Sequence, residues 1–256
     1  MSSNPYAAPR AQVADDTVVP SGNFLPAGRT VPTGNGWTWI AAGWQLFTAR
    51  AGLMIGMFVV WFLIMAVLTF IPIVGPIAQS LLWPVFLAGF FIASRKIQEG
   101  GDARFGDLFA GFSQRAGTLI ATGLIALAIS ALIAFAAIGI LGTAFFAGFG
   151  AGVTPAQMMS LLLVSLVILA LMLPLFMALW FAPALIVFHE MAAWPSMKAS
   201  FFGCLKNMLP FLLYSIVLTI AAVIASIPFL LGWLALGPLL ATSIYASYRD
   251  IYFSEA

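Results

Sequence analysis

The sequence predicts an all-α, polytopic membrane protein with six transmembrane helices in three hairpins, each hairpin preceded by a short amphipathic interfacial helix. Three observations predict this. The 256 residues are 63% hydrophobic and only 7% charged, against about 25% charged in a soluble domain, so lipid must solvate most of the surface. After the first fifty residues come six apolar stretches of the roughly 20 residues that a spanning helix needs. Every Lys, Arg, Asp and Glu can be placed on one side of a membrane crossed by those stretches.

The elements follow in order. Residues 1–36 carry Pro5, Pro9, Pro20, Pro26 and Pro32 with few large apolar side chains, which is too little to repay ordering; a disordered cytoplasmic tail is expected. Residues 37–252 form the transmembrane domain, and residues 253–256 a short C-terminal tail. Trp37, Ile40, Trp44 and Phe47 recur at helical spacing, predicting a first interfacial helix over 37–50 with Trp at the headgroup boundary. The first span covers about 52–71. A Pro72-Ile73-Val74-Gly75-Pro76 turn leads to the second, which contains Pro84 and stops at Arg95-Lys96. Phe105, Leu108, Phe109 and Phe112 form an apolar stripe, predicting a second interfacial helix ending at Arg115. The third span begins at 117 and stays apolar to 149, with an end rich in glycine (Gly139, Gly142, Gly148, Gly150, Gly152) that can unwind. Thr154-Pro155 reads as an N-cap followed by Pro in the first turn. The fourth span covers about 158–188, with Pro174 and Pro183 inside it. Trp194, Met197, Phe201 and Leu205 mark a third interfacial helix. The fifth span covers about 208–227, and the sixth ends at Arg249-Asp250.

The same unit therefore occurs three times. Arg50-Ala51-Gly52 is matched by Arg115-Ala116-Gly117 and loosely by Lys206-Asn207-Met208, and both Pro84 and Pro238 precede an Arg by eleven residues. Fixed-spacing self-similarity points to a repeated architecture, although any protein of helical hairpins has basic junctions and scattered Pro. The loops at 72–76, 150–157 and 228–233 have no Lys or Arg. Short loops rich in Lys and Arg stay cytoplasmic, so both termini are expected inside.

The motifs Trp37-x-Trp39-Ile40, Gly43-Trp44-x-Leu46-Phe47, Trp180-Phe181-Ala182-Pro183, Asn207-Met208-Leu209-Pro210-Phe211 and Tyr245-Ala246-Ser247-Tyr248-Arg249-Asp250 resemble a group of uncharacterised multi-pass inner-membrane proteins of proteobacteria. The resemblance covers roughly residues 36–252. More remotely, the chain is similar to the helical membrane portion that accompanies some glycerophosphodiester phosphodiesterases. That portion is not catalytic, so no active site carries over. The resemblance implies a bacterial inner membrane, six helices and no particular substrate.

Chemistry is sparse. Asp and Glu occur only at 15, 16, 99, 102, 107, 190, 250 and 255. An ion-coupled carrier normally places a carboxylate near the midplane, so a coupled carrier is not expected. His189 opens His-Glu-Met-Ala-Ala, but a zinc-protease helix needs a second His where Ala193 stands. His189 could serve as a lone general base, or simply end the span. Cys204 excludes an intrachain disulfide framework; it could be lipidated, or pack as a small apolar residue. No cofactor, metal or nucleic-acid partner is expected, and the oligomeric state is open. Arg50, Arg95, Lys96, Arg115, Lys198, Lys206 and Arg249 form a basic collar, serving topology or contacting lipid headgroups. Gln79, Tyr214, Thr219 and Tyr245 either hydrogen-bond between helices or line a cavity. The leading expectation is a non-enzymatic inner-membrane protein of membrane organisation, lipid interaction or partner binding to other membrane proteins. The alternative is an uncoupled permease or channel-like carrier for a neutral or amphipathic solute.

Overall fold

The structure, a computed structural model, describes residues 22–147 and 154–254. Its elements are helical: α1 (Asn35–Ala49), α2 (Ala51–Thr69), α3 (Val74–Gln98), a 3-10 turn (Phe105–Phe109), α4 (Ala110–Ser113), α5 (Ala116–Ala147), α6 (Pro155–Trp180), α7 (Ala182–His189), α8 (Ala193–Lys206), α9 (Met208–Ser226) and α10 (Trp233–Tyr252). Among the described residues, five segments are long and apolar enough to cross a bilayer: Ala51–Thr69, Val74–Gln98, Ala116–Gly139, Gln157–His189 and Met208–Ser226. The expected sixth, α10, is not among them. Its 20 residues include Thr242, Ser243, Tyr245, Ser247, Tyr248, Arg249 and Asp250, which lower its hydropathy. Most of these side chains are buried against other helices.

The architecture has an inner and an outer layer. Residues 84–94 of α3 are buried without interruption, as are 182–186 of α7 and most of α10. These inner helices meet one another: α3 packs on α7 and α10, and Phe188 of α7 stands against Tyr245 and Tyr248 of α10. Helices α2, α5, α6 and α9 bury few of their apolar side chains fully, as lipid-facing helices do. The three short elements obey one rule. Helix α1 packs on α10, the 3-10 turn and α4 pack on α3, and α8 packs on α6 and α7. Each thus seats on the last helix of another hairpin unit, closing a ring.

The fourth span is not one helix. Pro183 has no N–H and its ring clashes with the carbonyl one turn back, and the helix breaks at Phe181 between α6 and α7. Backbone groups freed inside a membrane must find partners. Ser200, fully buried on α8, supplies both: its Oγ accepts from Phe181 N at 2.9 Å and donates to Met177 O at 2.6 Å. The N-cap at Thr154 forms as expected, its side chain accepting from Gln157 N. The second interfacial helix is two shorter pieces, the 3-10 turn and α4. Gly148, Gly150 and Gly152 of the expected unwinding end lie outside the described residues, as do residues 1–21 and 255–256.

One further expectation changes. Residues 22–34, assigned to a disordered tail, lie as a strap along the C-terminal end of α10. Leu25 N donates to Tyr252 O and Arg29 N to Ile251 O, both at 2.8 Å. The interfacial helices pack through their small residues. In α1 the buried side is Gly36, Trp39, Gly43 and Phe47, while Trp37 and Trp44 face out. In α8 it is Ser196, Met197, Ser200, Gly203 and Cys204, while Trp194 and Leu205 face out. In lipid, small residues let helices approach and bulky apolar ones meet the bilayer.

Candidate functional site

The charged end of the molecule carries the chemistry, and its side chains converge from separate segments. Two polar hubs hold the strap. Asp250 accepts from Arg29 Nη2 at 2.8 Å, Asn35 Nδ2 at 2.7 Å and Trp39 Nε1 at 2.7 Å. Asn207, 1% exposed, accepts from Val31 N at 2.8 Å and donates to the carbonyls of Arg29 and Gly203. Beside them, Phe24 of the strap stacks on His189, ring centroids 3.4 Å apart. His189 Nε2 lies 2.6 Å from the Tyr248 hydroxyl. This arrangement holds the imidazole against two aromatic rings at the end of α7.

The basic collar is largely engaged internally. Arg95 pairs with Glu99 and lies over the Phe188 ring. Lys96 pairs with Asp107, and Arg115 with Glu190. Lys206 donates to the carbonyls of Ala27 and Gly28, and Arg249 stacks on Phe253. Arg104 hydrogen-bonds Asp102 and holds its carboxyl below the usual carboxylate range. Among the described residues, the exposed side chains of Arg50 and Lys198 have no hydrogen bond or ion pair. They flank a belt of outward aromatic side chains: Trp37 and Trp44 on α1, Phe105, Phe109 and Phe112 around α4, and Trp194 and Phe202 on α8. Aromatic rings with adjacent cations suit the headgroup layer.

The four side chains considered for a cavity lining have hydrogen-bond partners, whereas the buried indole N–H of Trp180 has none among the described residues. Gln79 Nε2 donates to Met65 O and to Thr69 Oγ1, both at 2.8 Å. The hydroxyl of Tyr214 shares a hydrogen bond with that of Ser243 at 2.7 Å, and Tyr245 Oη donates to Gln98 Oε1 at 2.8 Å. Thr219 Oγ1 turns back to Ser215 O. Tyr214 and Thr219 do border a groove of about 600 Å³ between α6 and α9. A second cavity of about 570 Å³ lies between α2, α3 and α10, walled by Phe58, Trp61, Trp83, Phe90, Leu234 and Ile244 among others. The linings of both are dominated by apolar side chains, and neither contains a carboxylate or a cation.

Comparison with known proteins yields one informative relative. Over 196 residues the chain is 30% identical to a probable inner membrane protein of Burkholderia thailandensis, the match covering 71% of each chain. The chain belongs to this family of probable inner membrane proteins. No protein-family model and no solved structure matches it, so the remote likeness to the phosphodiesterase-associated membrane portion rests on sequence motifs alone.

In this inner membrane protein, sequence reasoning missed Arg29, Asn207, Asp250 and Ser200. Asp250 follows Arg249 and reads as a charged stop, and Asn207 reads as a helix junction. Nothing local reveals that both reach back to residues 29–39. Ser200 carried one available signal: a small hydroxyl on the α8 face that must meet a broken helix.

Cys204 is 4% exposed, and burial pushes its thiol pKa up. A thiolate is the reactive form. Cys204 should therefore resist maleimide in native protein and react within minutes only after denaturation, as mass spectrometry of the alkylated chain would show.

Proposed function

We propose that this inner membrane protein crosses the bilayer six times in three hairpins, with its charged end cytoplasmic. It carries out no chemistry of its own and acts by organising anionic lipids, and membrane partners, at the cytoplasmic leaflet. The observation that carries this reading is the belt: three short elements present seven outward aromatic rings, with the exposed side chains of Arg50 and Lys198 in no ion pair among the described residues. A cation near an anionic membrane surface contributes about 1 kcal/mol, or about fivefold in preference. In favour of α10 as the sixth pass, its 20 residues extend about 30 Å, the thickness of the hydrocarbon core, and its hydroxyls turn toward protein rather than lipid. The permease alternative draws less support, because Gln79, Tyr214 and Tyr245 are hydrogen-bonded between helices.

Two measurements test the proposal. Arg50→Gln and Lys198→Gln should each lower the ratio of phosphatidylglycerol to phosphatidylethanolamine retained after mild detergent extraction by up to fivefold. An unchanged ratio in the double variant would remove the lipid reading. For topology, Cys204→Ser supplies a background for single reporters at exposed Gln114 and Leu231. An impermeant maleimide should label Leu231→Cys in intact spheroplasts, and Gln114→Cys only in inside-out vesicles. The reverse pattern would invert the orientation.

A further inference from the structure

We infer that the groove between α6 and α9 holds a single acyl chain of a membrane lipid; this rests on the lipid-facing role proposed above and adds a specific seat to it. The groove exists because the ring of packed helices is open there. Helix α5 packs on α3 and on α6, whereas α6 and α9 stand apart.

Size admits the occupant. The lining runs along α9 from Met208 to Ala222, about 21 Å at 1.5 Å per residue. A hydrocarbon chain laid along α9 follows this length, and a groove of about 600 Å³ has room for it.

Chemistry selects it. The walls are built of Leu173 and Phe176 from α6, Leu212 and Leu218 from α9, and Leu236 and Leu240 from α10. The hydroxyls that border the groove are already engaged: Tyr214 with Ser243, Ser215 with Leu212 O, and Thr219 with Ser215 O. A polar solute would lose its hydration there and find one unengaged donor, the buried Trp180 Nε1–H, in return. The groove also opens sideways. Leu173, Phe176, Leu209 and Leu212 are each more than half exposed and merge with the lipid-facing Leu169 of α6 and Ile220 of α9. A chain can thus enter from the bilayer without crossing a polar layer.

The test uses the full chain in nanodiscs containing phosphatidylglycerol with a photoactivatable diazirine in one acyl chain. Crosslinks should concentrate on residues 173–180 and 208–222, saturate at about one lipid per protein, and be competed by unlabelled lipid. Ala222→Phe and Ser215→Phe, which fill the groove at two depths, should each reduce this labelling at least fivefold. Val223→Phe, on the outward side of α9, should leave it intact. Gel filtration reports whether each variant remains folded. Labelling that is unsaturable and equal on α2 and α5 would overturn the inference, as would folded groove variants that label like the wild type, or a co-purifying protein that shields the groove. Because the wild type alone distinguishes saturable from bulk labelling, loss of a variant does not leave the question open. Headgroup selectivity at Arg50 and Lys198 is read separately. Groove labelling without that selectivity would sink the headgroup role alone, and selectivity without groove labelling would sink the acyl-chain seat alone.

Discussion

Asp250→Ala will detach the N-terminal strap and cost about 3 kcal/mol of stability. The carboxylate gathers three donors from two separate segments: Arg29 on the strap, and Asn35 and Trp39 on α1. Trp39 is 2% exposed, so its indole N–H would be left without a partner away from water. One such orphaned group costs about 1–3 kcal/mol, and breaking a fully buried ion pair costs about 3–5. Arg29 and Asp250 keep 26% and 18% of their side-chain surface, which places the sum between those limits. The measurement is thermal unfolding in mild detergent together with amide hydrogen exchange. The amides of Leu25, Arg29 and Val31, bonded to Tyr252 O, Ile251 O and Asn207 Oδ1, should exchange markedly faster in the variant. If they stay protected, Asn207, Lys206 and the backbone bonds to α10 hold the strap and Asp250 is not its anchor. Arg104→Ala serves as the contrast. Its pair with Asp102 is exposed, and such pairs contribute about 0–1 kcal/mol, so the variant should melt nearly as the wild type does.

The contrast between those two aspartates explains what the sequence could and could not disclose. Long apolar runs are legible because lipid imposes length and forbids charge, and α2, α3, α5 and α9 begin within a few residues of where hydropathy and basic stops place them. A run broken by Pro183 is not legible as two helices. The surrounding residues stay apolar, and the groups that satisfy the break belong to Ser200, nineteen residues from Phe181. The interfacial helices hide a different feature, the side by which they pack. An apolar stripe in a soluble helix points to the core, whereas Trp37 and Trp44 point away from it. Packing in the membrane is announced by small residues, and Gly36, Gly43, Ser200 and Gly203 were the signal to follow. For the candidate site, the collar residues were all visible as charges. Which of them had partners was not, because Arg115 and Glu190 meet across 75 residues and Arg29 and Asp250 across 221.

Gly43→Ala should cost about 2–3 kcal/mol, although alanine is the better helix former by about 1 kcal/mol. A Cβ at position 43 would stand 2.7 Å from the N, Cα and Cβ of Ser243, where carbon atoms prefer about 3.5–4.0 Å. Backbone cannot rotate away as a side chain can, so α1 and α10 must separate. Separation also stretches the 2.8 Å hydrogen bond from Thr242 Oγ1 to Gly43 O, a contact type worth about 0.6–2 kcal/mol between membrane helices. Overpacking adds about 1–3 kcal/mol. Gly52→Ala isolates the effect, since Gly52 lies in α2 with nothing within 4 Å of its would-be Cβ; that variant should gain stability, by up to about 1 kcal/mol. Melting both in the same detergent separates propensity from close approach. If the two variants moved together, α1 would lie loosely on the bilayer as its Trp37–Trp44 stripe suggests. If they diverge as expected, α1 is built into the ring, and the outward rings on it are held at a fixed height against the headgroups. That rigidity is what would let Arg50, at the end of α1, meet an anionic lipid without first losing the freedom of a mobile arm.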